Sequence, residues 1–181
     1  MVAQHRQVLG ISGFSGSGKT TLIEKLVPRL VNAGLRVSLI KHAHHDFDID
    51  QPGKDSWRHR MAGCTEVLVS SARRWALMHE LRNEPEPGLE ALLQRLSPSD
   101  LVLVEGYKHT PMPRIEVHRR GGNRPLLYLD DPNVIAIATD ELLDTAVTQF
   151  PIDDVEAIAG FVLKIISRSP IDMPRQSGGP A

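Results

Sequence analysis

Residues 13–21 read GFSGSGKTT and follow the apolar run VLGIS directly. Gly13, Gly18, Lys19 and Thr20 fall on the spacing G-x-x-x-x-G-K-[ST], a loop that binds phosphate. Glycine lets the main chain adopt conformations closed to other residues and come close to a ligand. The amide hydrogens of Gly13, Ser15, Gly16, Ser17 and Gly18 can then converge on phosphate oxygens, aided by the positive end of the helix that follows. Lys19 is expected to reach the β- and γ-phosphates of a nucleoside triphosphate. Thr20 is expected to hold Mg²⁺ through its hydroxyl, and Thr21 to touch the α-phosphate.

A metal on a triphosphate calls for a carboxylate at the end of a neighbouring strand. LVLVEG offers Glu105 in that place, with a helix cap or simple ion pair as the competing role. Asp100, at the other end of the same strand, is the poorer candidate. KHAHHDFDIDQPGKDS, after the second strand, gathers Lys41, His42, His44, His45, Asp46, Asp48, Asp50 and Asp55. The carboxyl ends of parallel strands face the ligand crevice, so Lys41 and this loop should border the phosphates. The loop reads as a switch or partner segment, as a His-rich metal cluster, or as a solvated connection. Asp55 either caps a helix or assists Mg²⁺, and Trp57 reads as packing.

These residues need a scaffold. Residues 8–12 read as a strand, and KTTLIEKLVPRLVNAG as a helix with Leu22, Ile23, Leu26, Leu30 and Val31 on one stripe. Pro28 threatens a kink in it, and Gly34 is a stop signal. Residues 36–41 are a second strand, completing a βαβ unit with parallel strands. KDSWRHRMAG is a short helix, and TEVLVSS and RWALMHEL are strands turning near Ser71–Arg74. EPEPG breaks the chain before the helix GLEALLQRL. DLVLVEG, PRIEVHRR, PLLYL and VIAIATD read as strands, with GGNR as a turn, and IDDVEAIAGFVLKII as the last helix. RIEVHRRGGNR, with Arg114, His118, Arg119, Arg120 and Arg124, reads as a solvated hairpin, an anion contact or a dimer edge. The predicted fold is α/β: a three-layer α/β/α domain like the P-loop NTPases, mainly parallel, with a small antiparallel hairpin extension. One domain over 1–168 is expected, with a Pro-, Gly- and Ser-rich disordered tail over 169–181.

Composition narrows the function classes. A net charge of −1 over 181 residues gives no bulk attraction to nucleic acid or an anionic membrane. No apolar run reaches the ~18 residues of a membrane span, and the polar start MVAQHRQ is no signal peptide. The one cysteine, Cys64, can form no internal disulfide and is expected to pack as a small apolar residue, consistent with a cytoplasmic setting. From the residues alone, three functions compete: a nucleotide-dependent adaptor, a small-molecule kinase with lid arginines drawn from Arg58, Arg60, Arg73 and Arg74, and a metal chaperone using the His44/His45 loop.

GFSGSGKTTLIEKLVPRL, VSLIKHAHHDFDIDQPGKDSWRHRMAG and DLVLVEGYKHTPMPRIEVHR, in that order, resemble the molybdopterin-guanine dinucleotide biosynthesis adaptor family (MobB) over about residues 7–165. The resemblance implies a GTP-binding P-loop protein with weak hydrolysis, forming a homodimer. Its implied partner is the molybdenum cofactor guanylyltransferase, which joins GMP to molybdopterin, with molybdopterin itself as a further ligand. It also implies that Lys41, Asp55 and Glu105 lie near the γ-phosphate and Mg²⁺, and that Lys108 and His109 extend that rim. The N-K-x-D pattern that reads guanine in many GTPases is absent. In IATDE, Asp140 can accept hydrogen bonds from guanine or cap a following helix.

Overall fold

A computed structural model describes residues 5, 7–43, 47–121 and 125–168. In chain order its elements are β1 (Val8–Ser12), α1 (Lys19–Asn32), β2 (Val37–Lys41), α2 (Asp55–Met61), β3 (Glu66–Ser70), β4 (Trp75–His79), α3 (Leu89–Leu93), β5 (Leu101–Glu105), β6 (Arg114–His118), a 3-10 turn at Leu127–Leu129, β7 (Val134–Thr139), β8 (Thr148–Pro151) and α4 (Val155–Arg168). They fall into two compact units. One comprises residues 1–42 and 93–181, and the other residues 43–92.

The larger unit is built on a six-stranded sheet in the order β2-β5-β1-β6-β7-β8. Every neighbouring pair is parallel. β5 is buried along its whole length, as an unbroken Leu-Val-Leu-Val run demands in a parallel sheet covered on both faces. Leu9 and Ile11 of β1 share a core with Leu22, Leu26 and Leu30 of α1 and Ile158 and Val162 of α4. Leu22, Ile23, Leu26 and Leu30 of the stripe read from the sequence are the buried face of α1, whereas Val31 is exposed. Pro28 lies inside α1, which continues past it to Asn32. Proline costs that turn one hydrogen bond, and Gly34, just past the Ala33 C-cap, takes a left-handed φ of 88°.

The opposite face of the sheet is covered differently. Alternation along a strand turns Gly10 away from the α1/α4 core, and Gly10 lies against Arg114 and Met112. The crossover 106–113, which carries no helix, runs there. PLLYL is not a strand. Leu127–Leu129 form the 3-10 turn, because the buried Glu116 carboxylate accepts the Leu127 and Tyr128 amides at 2.8 and 3.0 Å. RIEVH is likewise no solvated hairpin: Arg114 to Val117 are buried in a central parallel strand, and residues 122–124 of the expected GGNR turn lie outside the described residues. Thr148–Pro151 adds an edge strand that the sequence pattern did not announce.

The smaller unit holds the antiparallel β3–β4 hairpin, paired from Glu66↔His79 to Ser70↔Trp75. Its turn closes with Ser71 N–H donating to Arg74 O at 2.9 Å. Arg60 of α2, 8% exposed, gathers the carboxylates of Asp48, Asp50 and Glu80. That commitment takes it out of any lid. Cys64 is exposed, not packed, because it lies past the end of α2, in the connection to β3. Lys54 is the N-cap of α2, so Asp55 stands in the first helical turn and is not the cap. The expected tail, 169–181, lies outside the described residues.

Candidate nucleotide site

The loop 13–18 leaves the carboxyl end of β1 and enters α1. Its path depends on two glycines. Gly13 has φ 149°, and a Cβ there would lie 2.4 Å from Val117 O and 2.7 Å from Ser17 Oγ. Gly18 is the N-cap of α1 with φ 99°, and a Cβ there would lie 3.3 Å from Arg119 Nε. The left-handed region suits glycine, and a side chain at position 13 would strike main chain.

Inside this loop the Lys19 ammonium donates to Gly13 O and Phe14 O, both at 3.0 Å. The Ser17 hydroxyl is buried and has no hydrogen-bond partner among the described residues. A buried polar atom without a partner is costly unless something polar meets it. Ser15, Gly16 and Thr21 are exposed. The loop thus offers a cation, an unpartnered hydroxyl and a helix N-terminus at one place, the donor set for phosphate oxygens.

Glu105 ends β5, which pairs with β1 on one side and β2 on the other. It is 8% exposed. The Thr20 hydroxyl points at its Oε1 from 3.4 Å, and Lys41 Nζ stands 3.9 Å from its Oε2. A hydroxyl and a carboxylate side by side are hard oxygen donors of the kind Mg²⁺ selects. His42 N–H donates to Glu105 O at 2.8 Å, which ties the end of β2 to the carboxylate. The structure therefore brings Lys19, Thr20, Lys41 and Glu105 together. Asp55 belongs to the smaller unit. His44, His45 and Asp46 lie outside the described residues. Among the described residues no group of three or more His, Cys, Asp or Glu is placed to hold a metal ion by itself.

On the other side of the loop, Phe14–Ser17 and Val117–Gly121 line a cavity of about 390 Å³. Asp140, just past β7, accepts the Arg120 amide at 2.8 Å and faces Arg119 Nη1 at 3.5 Å. The Arg120 amide above all, with the charge of Arg119 beside it, holds the Asp140 carboxyl below the usual carboxylate range. Residues 140–147 form no helix, so Asp140 caps none. The sequence named Arg119 only as one charge in a basic stretch. Its contact with Gly18 follows from the parallel pairing of β6 with β1, which the charge pattern does not show. Lys108, which the resemblance sets on the rim of the site, has its ammonium 4.7 Å from the centroid of the Phe14 ring.

The chain is similar to known proteins over most of its length. The family model described as molybdopterin guanine dinucleotide synthesis protein B matches residues 8–140. The chain is 46% identical over 160 residues to the molybdopterin-guanine dinucleotide biosynthesis adapter protein of Escherichia coli K12, covering 87% of this chain and 91% of that one. It is 45% identical over 158 residues to the adapter protein of Haemophilus influenzae, covering 86% of each. A crystal structure of molybdopterin-guanine biosynthesis protein B superposes with a TM-score of 0.73 at 32% identity, covering 89% of this chain and 99% of that one. With the loop, the strand order and these matches in agreement, the chain belongs to the MobB family.

Proposed function

We propose that this protein is a GTP-binding adaptor in molybdopterin guanine dinucleotide biosynthesis, working as a cytoplasmic homodimer beside the guanylyltransferase that attaches GMP to molybdopterin. The names of its relatives in two bacteria support the pathway. The observation that carries the nucleotide is the Lys19 ammonium drawn onto Gly13 O and Phe14 O, next to the buried, unpartnered Ser17 hydroxyl. A cation held by carbonyls at the mouth of an amide-lined loop can transfer to phosphate oxygens at little cost in reorganisation.

Thr20 and Glu105, 3.4 Å apart, would hold Mg²⁺, with Lys41 beside them. Bound Mg²⁺ supplies neutralisation of phosphate charge. Glu105 faces Thr20 and Lys41, an arrangement suited to holding a cation and not to taking a proton from water. Slow hydrolysis is the consequence. Asp140 is kept ionised by its neighbours, and an ionised carboxylate accepts the donors that guanine presents on N1 and N2. It is our candidate for reading the base. Asp55 stands in the first turn of α2 as a further candidate for the metal.

The test is GTP binding by calorimetry to the wild type and to Lys19→Ala, with circular dichroism to follow the fold. The expected result is loss of binding with an unchanged spectrum. Unchanged affinity in a folded Lys19→Ala protein would contradict the site.

A further inference from the structure

The connection from β5 to β6 spans residues 106–113 and holds no helix. Parallel strands are ordinarily joined by a dozen or more residues, usually with a helix that satisfies its own backbone. An extended crossover lying on a sheet face needs other partners for its carbonyls. Arg114 supplies them. Its side chain is 1% exposed. It donates from Nη1 to Lys108 O at 2.7 Å, from Nη2 to Thr110 O, and from Nε to Met112 O at 3.4 Å. Nε also lies 3.2 Å from Asp131 Oδ2, and Asp131 is itself held by Asn133 N and Nδ2 at 2.9 and 2.7 Å.

The neighbouring strand makes room for this arrangement. Gly10 pairs with Arg114, and a Cβ on Gly10 would lie 2.9 Å from Arg114 Cβ. Gly10 N–H also donates to Pro113 O at 2.9 Å. The crossover is thus fastened from Lys108 to Pro113. A planar fork with five donors spans carbonyls spread along the crossover while keeping Asp131 as a partner, a geometry that the single ammonium nitrogen of lysine does not reproduce.

The fastening reaches the phosphate loop. Arg114 holds the carbonyl of Lys108, and the Lys108 ammonium rests over the ring of Phe14. Phe14 in turn gives its carbonyl to Lys19. A flexible lysine is thereby presented from a fixed main chain to the mouth of the loop. We propose that Arg114 is a positioning residue that holds Lys108 as a second cation at the phosphate loop, so that Lys108 favours the more highly charged GTP over GDP. This rests on the nucleotide reading above. The extra phosphate adds negative charge, and a positive group fixed near it gains more from GTP than from GDP.

The experiment measures GTP and GDP affinities by calorimetry, with Mg²⁺ present. The proteins are the wild type, Lys108→Ala, Arg114→Lys, Asp131→Asn and the Lys108→Ala/Arg114→Lys double variant. Lys108→Ala is expected to cut the GTP-over-GDP preference by about tenfold, and Arg114→Lys by a similar factor. The double variant should lose no more than Lys108→Ala alone, because both changes act through one group. In the nucleotide-free protein, amide exchange over residues 107–110 should quicken in Arg114→Lys and not in Lys108→Ala. Should Arg114→Lys fail to fold, Asp131→Asn carries the same expectation. A preference unchanged in Lys108→Ala, or losses that add in the double variant, would overturn the proposal. If the wild type binds neither nucleotide, the nucleotide reading fails with it. Lys19-dependent binding with an unaltered preference sinks the positioning role alone.

Discussion

Thr20 and Glu105 meet across the junction of α1 and β5, hydroxyl to carboxylate at 3.4 Å. They are far apart in sequence, and the parallel pairing of β1 with β5 brings them together. Lys41 stands on the far side of the same carboxylate, 3.9 Å away.

Glu105→Gln keeps the size of the side chain and removes its charge. If Glu105 and Thr20 hold the cation, this variant should bind GTP about tenfold more weakly when Mg²⁺ is present, or about 1.4 kcal/mol. Its affinity in a chelator should match that of the wild type. Calorimetry with and without Mg²⁺ checks both. An equal loss in both conditions would place the carboxylate's role elsewhere.

Gly13→Ala tests whether the loop's path is dictated by close approach. The added methyl would press on Val117 O from 2.4 Å at φ 149°. Overpacking against main chain, with backbone strain, should cost about 2–3 kcal/mol. Urea unfolding measures that loss. Gly16→Ala, where a Cβ meets nothing within 4 Å, is strained only by its φ and should cost about 1 kcal/mol.

The smaller unit should respond to pH with two opposite signs. Hydrogen bonds from Arg60, and then from the Asp50 amide, lower the Asp48 carboxyl. That stabilisation is complete above the unfolded value of about 3.9 and disappears as pH falls through the folded one. Glu66, with Glu84 adding to it, raises His79. That contribution is complete below about 6.5 and disappears as pH rises through the folded value. Asp48→Asn should flatten the acid limb of an unfolding-versus-pH curve, and Glu66→Gln the limb that falls as pH rises from about 6.5. In Glu66→Gln, NMR should find His79 titrating closer to the ordinary histidine range. An unmoved His79 titration would dismiss the Glu66 pairing.

Arg114 shows why part of this protein could be read from its sequence and part could not. Gly13 to Thr21 follow a spacing set by phosphate chemistry, and α1 and β5 carry apolar patterns that local periodicity reveals. Arg114 sits in an alternating, charged segment that reads as an exposed hairpin. It is buried because the carbonyls of an unusually short crossover accept from its guanidinium while Gly10 leaves room beside it, a long-range circumstance without local signature. Leu127–Leu129 look like a strand by composition, and the Glu116 carboxylate turns them into a 3-10 turn. β8 ends in Pro151, a residue that weakens any strand reading, although an edge position tolerates it. Thr20, Lys41 and Glu105 are expected from the motifs to share one site, and the strand order β2-β5-β1 is the arrangement that brings them together.

The most direct test of the central claim is a crystal structure with Mg²⁺ and a non-hydrolysable GTP analogue. The phosphates should lie on the amides of the loop 13–20, with Lys19 Nζ moved from Gly13 O and Phe14 O onto phosphate oxygens and Mg²⁺ between Thr20 and Glu105. A loop that keeps Lys19 on its two carbonyls, with the analogue bound elsewhere, would contradict the account.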